Sequence, residues 1–400
     1  MSLAPAVVVV SLLVAIAQSQ VYLQTFDWES ISDRPGHMRY LKTQVSSWAS
    51  AGFHGAWLPP QSESVDAQGY IPQRWYRLVD HDSLVALLQD MNSRGMVGIA
   101  DIVINHRGAP HVDPCTHEYT AFQEPDMGNW AIVADDYKCN SGDRFCPGDC
   151  GCGNFDTGDN FCPSPDLDHT NDGVRRLVKE YLHWLKSVGF KGWRFDMAIG
   201  YDARFNAEYV RDSQPEFSVG EVWSDTDRVW AWIQGAQQQS SAFDFPYRSE
   251  LKSAVTSNDY SWLKFTGIVS RNSLYACTFL DNHDTARDDR FGDRPQIVQG
   301  YAVILTHPGT PFVFWKDWED DYVREPVQAL MDVRASSGIS STSPLYIDVA
   351  RHGLYAAYVH GGKGTVAVKT GSDDWIPNPQ HEYSLYTSGH NFAVWVRTAT

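Results

Sequence analysis

Val97-Gly98-Ile99-Ala100-Asp101-Ile102-Val103-Ile104-Asn105-His106-Arg107 is an apolar run that carries one carboxylate inside it and ends in polar residues. A run of this length and composition reads as a buried strand, and the polar residues at its end call for a separate reason. Just upstream, Ser83–Arg94 places apolar residues every third or fourth position, the period of a helix packed on one face. Asp172–Val188 repeats that period, with Asn171-Asp172 placed to cap its first turn. Working outward, further strand-like runs lie at Val21–Phe26, Phe53–Leu58, Gly192–Met197, Phe217–Trp223, Ser241–Phe245, Cys277–Asp281 and Pro311–Trp315. Strands alternating with helices point to an α/β chain with a parallel sheet, and eight of them are enough to close a (β/α)8 TIM barrel.

Two stretches break the alternation. From Arg107 to Pro165 the chain is rich in Gly, Pro, Asp and Cys and holds no period, which predicts a cysteine-rich subdomain inserted after the third strand. Beyond Ser341, short runs such as Leu354–Val359, Thr365–Lys369 and Phe392–Val396 predict a C-terminal antiparallel β domain. The expected limits are therefore 20–106 and 166–340 for the barrel, 107–165 for the insert and 341–400 for the C-terminal domain.

Composition narrows the partners. A formal charge of -17 excludes a nucleic-acid binder, which needs clustered Lys and Arg, whereas 15 Trp and 19 Tyr suit a neutral, hydroxyl-rich ligand. Ala6–Ala17 is an uncharged, mostly apolar run ending in Ala15-Ile16-Ala17, the pattern of a signal peptide over residues 1–19, although no Lys or Arg precedes it. Secretion is the expectation, with no membrane association after cleavage and an uncleaved anchor as the alternative. Cys115, Cys139, Cys146, Cys150, Cys152 and Cys162 crowd the insert, as three local disulfides of open pairing or as a zinc site. Cys277 stands apart in an apolar run and is expected to be a buried thiol. Nothing in the sequence calls for more than a monomer.

Barrel chemistry gathers at the C-terminal ends of the strands, and here those ends are polar: Asn105-His106-Arg107, Arg194-Phe195-Asp196, Glu221-Val222-Trp223 and Asp281-Asn282-His283-Asp284. Asp196 and Glu221 end adjacent strands, the placement a retaining glycosidase needs for a nucleophile and an acid/base about 5–5.5 Å apart. Asp is short enough to hold a fixed point of attack, and Glu is long enough to reach a leaving oxygen. Arg194 shares the strand face of Asp196 and can keep it ionised. Asp284 would be a third carboxylate, binding sugar hydroxyls and the positive charge of the transition state. The alternative is a buried ion network that merely closes the barrel end.

The segments Asp101–Arg107 (DIVINHR), Gly192–Met197 (GWRFDM), Glu221–Trp223 (EVW) and Phe279–Asp284 (FLDNHD) resemble, in order, the four signature regions of the α-amylase family, glycoside hydrolase family 13. Ala56–Pro60, Gln68–Tyr70, Asp156–Gly158, Pro165–His169 and Leu305–Pro311 are similar to the plant-type secreted members in particular. The resemblance covers most of the chain from Val21 to Arg334 and, more weakly, the C-terminal domain. It implies retaining endo-hydrolysis of internal α-1,4-glucosidic bonds in starch, glycogen and related α-glucan substrates. Asp196 is then the nucleophile, Glu221 the acid/base and Asp284 the transition-state stabiliser. His106 and His283 would hydrogen-bond the sugar at the point of cleavage, Tyr70 would stack on it, Arg194 would orient Asp196, and Trp223 would join the substrate contacts.

The same resemblance implies a structural calcium tying insert to barrel, held by Asn105, Asp156, the backbone oxygen of Asp159, Asp166 and the backbone oxygen of Gly200. Oxygen donors from both parts suit a hard cation, while Asp156 and Asp166 also fit a plain turn-forming role. The chain departs from the family in places. The loop between Tyr76 and Ser83 is short, and Ile199 stands where a basic residue usually follows the nucleophile. The segment between Glu221 and Cys277 is trimmed and lacks the adjacent Trp pair that some plant members use on starch granules. Competing functions are a transglycosylase or debranching enzyme of the same family, or a sugar-binding relative without catalysis.

Overall fold

Eight short parallel ladders carry the fold. In the computed structural model, which describes residues 19–398, the strands are β1 (Tyr22–Gln24), β2 (Gly55–Trp57), β3 (Val97–Ile102), β4 (Gly192–Phe195), β5 (Phe217–Gly220), β6 (Ser241–Phe243), β7 (Ala276–Thr278) and β8 (Thr310–Phe314). They pair in chain order, and β8 returns to β1 through Tyr22↔Phe312 to close the barrel. Except at β8, each ladder is shorter than its apolar run, because the residues past it turn into loops, most of them still buried. One face of the strands fills the interior with Tyr22, Val97, Ile99, Val219, Phe243, Cys277 and Phe312. Tyr22 stacks on Phe312 with ring centroids 5.2 Å apart. Cys277 is a free, buried thiol there, and burial pushes its pKa far up.

The helices α1 (Arg34–Ala51), α2 (His81–Ser93), α3 (Asp172–Val188), α4 (Ala203–Ser213), α5 (Thr226–Gly235), α6 (Phe245–Ser257), α7 (Gly267–Asn272), α8 (Thr285–Asp288), α9 (Arg294–Thr306), α10 (Trp315–Glu319) and α11 (Asp321–Ser337) make up the helical layer and its connections. Helix α3 has the span its periodicity predicts, and Asn171 caps it by accepting from the Gly173 N–H at 2.8 Å.

The segment after β3 leaves the barrel on a two-sided stem. Arg107 N–H donates to the Pro165 carbonyl at 3.0 Å, and Leu167 N–H to the Asn105 carbonyl at 2.8 Å. Regular structure inside it is limited to isolated bridges and two 3-10 turns. Three disulfides replace a large core: Cys115–Cys150, Cys139–Cys162 and Cys146–Cys152. All six clustered cysteines are thus paired, which removes the zinc alternative. Arg107 works as an internal bolt. Its fully buried guanidinium donates to the Pro125 carbonyl at 2.7 Å, the Gln73 carbonyl at 3.0 Å and the Gln123 carbonyl, and lies over the rings of Trp75 and Phe122.

At the C-terminus, β9 (Leu345–Arg351), β10 (Leu354–His360), β11 (Gly364–Thr370), β12 (Ser384–Gly389) and β13 (Phe392–Thr398) form an antiparallel sheet in the order β9-β10-β11-β13-β12. Tyr355, Ala357, Val359, Val366, Val368 and Val394 bury one face against the barrel core. Sequence reading finds the three inner strands and misses β9 and β12. Both are edge strands, and the exposed Ser-Leu-Tyr-Thr-Ser-Gly of β12 gives little alternation to detect. No helix among the described residues is long and apolar enough to cross a membrane. The signal-peptide expectation falls on residues 1–19, of which 1–18 lie outside the described residues.

Candidate active site

Hydrogen bonds continue beyond the strand ends and set the polar residues side by side. Asp196 N–H donates to the Ile102 carbonyl at 3.0 Å, and Glu221 N–H to the Phe195 carbonyl at 2.9 Å. With Phe195 in register with Gly220, Asp196 and Glu221 sit at neighbouring points of the rim, about one strand spacing apart. Met197 N–H donates to Glu221 Oε2 at 2.9 Å and fixes that carboxyl group from below.

Arg194 is the hub. Its Nη1 donates to Asp101 Oδ1 at 2.7 Å and to Asp196 Oδ1 at 2.6 Å, and its Nη2 lies 2.8 Å from Glu221 Oε1 in an off-axis ion contact. The guanidinium also lies 4.6 Å from the Trp57 ring centroid. Asp101, which pairs in register with Arg194, is the residue that sequence reasoning passed over. It accepts from Trp57 Nε1 at 3.0 Å and from the Tyr70 hydroxyl at 2.9 Å, so one buried carboxylate aligns a tryptophan, a tyrosine and the arginine. The available signal was a lone Asp inside an apolar strand, since a buried charge needs partners.

Asp284 approaches from the end of β7. Beneath it, Asp281 accepts from Arg248 Nη2 and the Phe291 N–H, each at 3.1 Å, and Asn282 Oδ1 accepts from the N–H groups of Asp284 and Thr285. His283 Nδ1 accepts from Gln24 Nε2 at 3.0 Å, which leaves Nε2 to carry the proton, 3.3 Å from Asp284 Oδ2. The rings of Tyr70, His283 and Trp28 are mutually parallel within 6°, with centroids 5.1, 5.9 and 6.0 Å apart. They form a faceted aromatic wall beside Asp284.

The remaining expected contacts differ in character. Trp223 is 51% exposed and stacks on Phe245 with centroids 4.8 Å apart, an open platform two residues beyond Glu221. His106 is buried, with Phe161 of the insert stacked on it. Its Nε2 donates to the Tyr70 carbonyl at 2.7 Å, so in this arrangement it braces the Tyr70 loop. Ile199 packs against the apolar core, and its carbonyl accepts from the Asp159 N–H at 3.1 Å.

Burial governs the electrostatics. It pushes Asp101 up to about 6. It also pushes Asp196 well above the usual carboxylate range, with Glu221 and Asp101 adding to the rise and Arg194 opposing it. Burial lowers His283 to about 3 and His106 to about 4, so both rings are neutral donors and acceptors.

The residues expected to hold a cation lie where insert meets barrel. Asn105 Oδ1 and Asp156 Oδ2 are buried without a hydrogen-bond partner. Gly158 and Gly200 allow the close approach, since a Cβ on Gly158 would strike the Gly200 backbone and one on Gly200 would strike the Asn105 amide. Burial and the neighbouring Asp136 push Asp166 up to about 9, and burial takes Asp136 up to about 7. Asp136 was not foreseen; it accepts from the Asp166 N–H at 2.7 Å and from the Asn160 amide. Asp159 sends its side chain to Arg228 of α5, which leaves only its backbone oxygen for the expected role. Among the described residues no three His, Cys, Asp or Glu side chains gather in metal-binding geometry. An amide, two carboxylates and two backbone carbonyls are nevertheless hard oxygen donors, and orphaned oxygens in an anionic cluster fit a hard cation.

A closed parallel barrel with carboxylates gathered on a buried arginine, beside an aromatic wall, defines the class as a barrel enzyme built for carbohydrate. The chain belongs to the α-amylase family. Residues 20–318 match "Alpha amylase, catalytic domain", and residues 336–396 match "Alpha-amylase C-terminal beta-sheet domain". The chain is 36% identical to "Probable alpha-amylase 2" of Arabidopsis thaliana over 94% of both chains. It is 32% identical to "Alpha-amylase 3, chloroplastic" of the same plant, covering 94% of this chain and 44% of that one. Its fold matches the crystal structure of an α-amylase from Geobacillus thermoleovorans in complex with acarbose, with a TM-score of 0.73 at 16% identity over 95% of this chain and 98% of that one.

Proposed function

We propose that the protein is a glycoside hydrolase that cuts internal α-1,4 bonds of starch-like glucans with retention of configuration. The observation that carries the reading is the Arg194 hub, which sets Asp196 and Glu221 side by side at the barrel rim. Asp196 attacks the anomeric carbon while the Glu221 carboxyl gives its proton to the departing glycosidic oxygen. A water then enters; Glu221 takes its proton, and the sugar–Asp196 bond breaks. Asp284 and His283 face the same sugar, the first toward developing positive charge and the second as a hydroxyl partner. Tyr70 supplies an aromatic face, and Trp223 a platform on the leaving-group side. Incubation with soluble amylose tests the endo mode. Iodine staining falling ahead of the rise in reducing ends supports it, and parallel courses of the two contradict it.

Asn105, Asp156, Asp166 and the backbone oxygens of Asp159 and Gly200 would hold calcium, which supplies a structural tie between insert and barrel. Removing a bound ion costs about 3–4 kcal/mol when it is present at 100–1,000 times its dissociation constant. Chelation is therefore expected to lower the melting temperature by about 4–5 °C, with recovery on adding calcium but not magnesium. An unchanged melting curve in chelator would remove calcium from the account. The disulfide-stapled insert supports a secreted protein, since such bridges persist in oxidising compartments.

A further inference from the structure

We infer that Arg287, outside the strand-end motifs, is a positioning residue for Asp284, and that it keeps this carboxylate ionised and in place. The inference rests on the reading of Asp284 as the stabilising carboxylate.

Arg287 belongs to α8, the short turn of helix that follows Asp284, and its N–H donates to the Asp284 carbonyl at 3.0 Å. The side chain is 43% exposed, yet it is held back over the site. Its guanidinium lies 4.5 Å from the centroid of the Trp28 ring. Trp28 comes from the loop after β1 and is one facet of the aromatic wall with Tyr70 and His283. Asp288 grips the guanidinium in a fork, at 2.7 Å to Nε and 2.7 Å to Nη2. In that pose Nη2 stands 3.7 Å from Asp284 Oδ1. An arginine seated over a tryptophan ring and held bidentately is an aimed charge even where part of it meets solvent.

Asp284 has need of it. Burial pushes its carboxyl above the ordinary range, and Arg194 and Arg287 are the two cations that pull it back, against Asp288. The other polar groups near it are the neutral His283 and the Tyr70 hydroxyl. Arg194 is shared among Asp101, Asp196 and Glu221, and Arg287, though forked by Asp288, stands 3.7 Å from Asp284 Oδ1 as its second cation. A stabiliser of positive charge works only when ionised, so loss of this cation raises the pKa of Asp284 and carries the acidic limb of activity upward.

The test is the pH profile of kcat/KM on a soluble α-1,4-glucan for wild type, Arg287→Gln and Arg287→Lys. Arg287→Gln is expected to move the acidic limb up by about 0.5–1 pH unit, a moderate shift because the arginine is partly solvated. On the acidic limb that is a loss of about three- to tenfold, with a much smaller loss on the plateau. Arg287→Lys keeps a cation and is expected to restore the limb, a rescue that a merely structural role would not produce. An unmoved limb in Arg287→Gln with unchanged circular dichroism overturns the inference, as does an Arg287→Lys limb displaced as far as that of Gln. Asp284→Asn separates the two levels. Full activity in that variant defeats the reading of the site itself, whereas its inactivity beside an unmoved Arg287→Gln limb defeats only the role of Arg287.

Discussion

Glu221→Gln is expected to lower kcat on soluble starch by about 10⁴-fold while leaving the fold intact. The substitution keeps the shape of the side chain, and the amide oxygen can still accept from the Met197 N–H that holds the carboxyl group at 2.9 Å. What disappears is the proton for the glycosidic oxygen. Asp196→Asn should be equally damaging, for a different reason: an amide cannot form the covalent bond to the anomeric carbon. An activated donor separates the two roles. An α-glycosyl fluoride needs no proton on its leaving group, so Glu221→Gln should recover much of the first step and Asp196→Asn none of it. Equal behaviour of the two variants on the fluoride would contradict the assignment.

Arg194→Leu should be the most destructive change that removes no reacting group. It strands Asp101, Asp196 and Glu221, all buried or nearly so, around an apolar side chain. Breaking a buried ion network by deleting one partner costs about 3–5 kcal/mol, because the remaining charges must protonate or pull in water. The variant is expected to unfold at lower urea concentration and to lose at least about 10³-fold in activity, since Arg194 both orients Asp196 and opposes the rise of its pKa. Arg194→Lys keeps the charge but lacks the planar fork that reaches Asp101 and Asp196 through one nitrogen and Glu221 through the other. It should retain most of the stability and little of the activity. Wild-type stability and turnover in Arg194→Leu would show that the hub is not what organises the rim.

The barrel was legible because its strands are apolar on both faces, so each shows as a run even where the ladder covers only three residues, as in Tyr22–Gln24. The runs overstate the ladders: Phe217–Trp223 contains a strand that stops at Gly220, and Val222 and Trp223 go on to pack or to face the cleft. Edge strand β12 was illegible because it is exposed nearly throughout and shows no apolar alternation, whereas β9, Leu345-Tyr346-Ile347-Asp348-Val349, does alternate and was simply passed over. At the site, the sequence points to the polar residues at the strand ends and not to the residues that support them. Asp101, Trp28 and Arg287 act through orientation, and nothing local in the sequence says that Asp101 will face Tyr70 and Trp57 or that Arg287 will lie on Trp28. His106 shows the converse. Its position was legible, but its Nε2 bond to the Tyr70 carbonyl depends on a loop distant in sequence.

The central claim is a double displacement through Asp196 at an α-linkage, and the most direct measurement is the anomeric configuration of the first products, followed by proton NMR before mutarotation sets in. Two inversions at the anomeric carbon leave α-anomeric oligosaccharides as the first signals, with the β-anomer growing in only as mutarotation proceeds. A β-anomer appearing first would mean single displacement by water, and Asp196 would then have no place as the nucleophile.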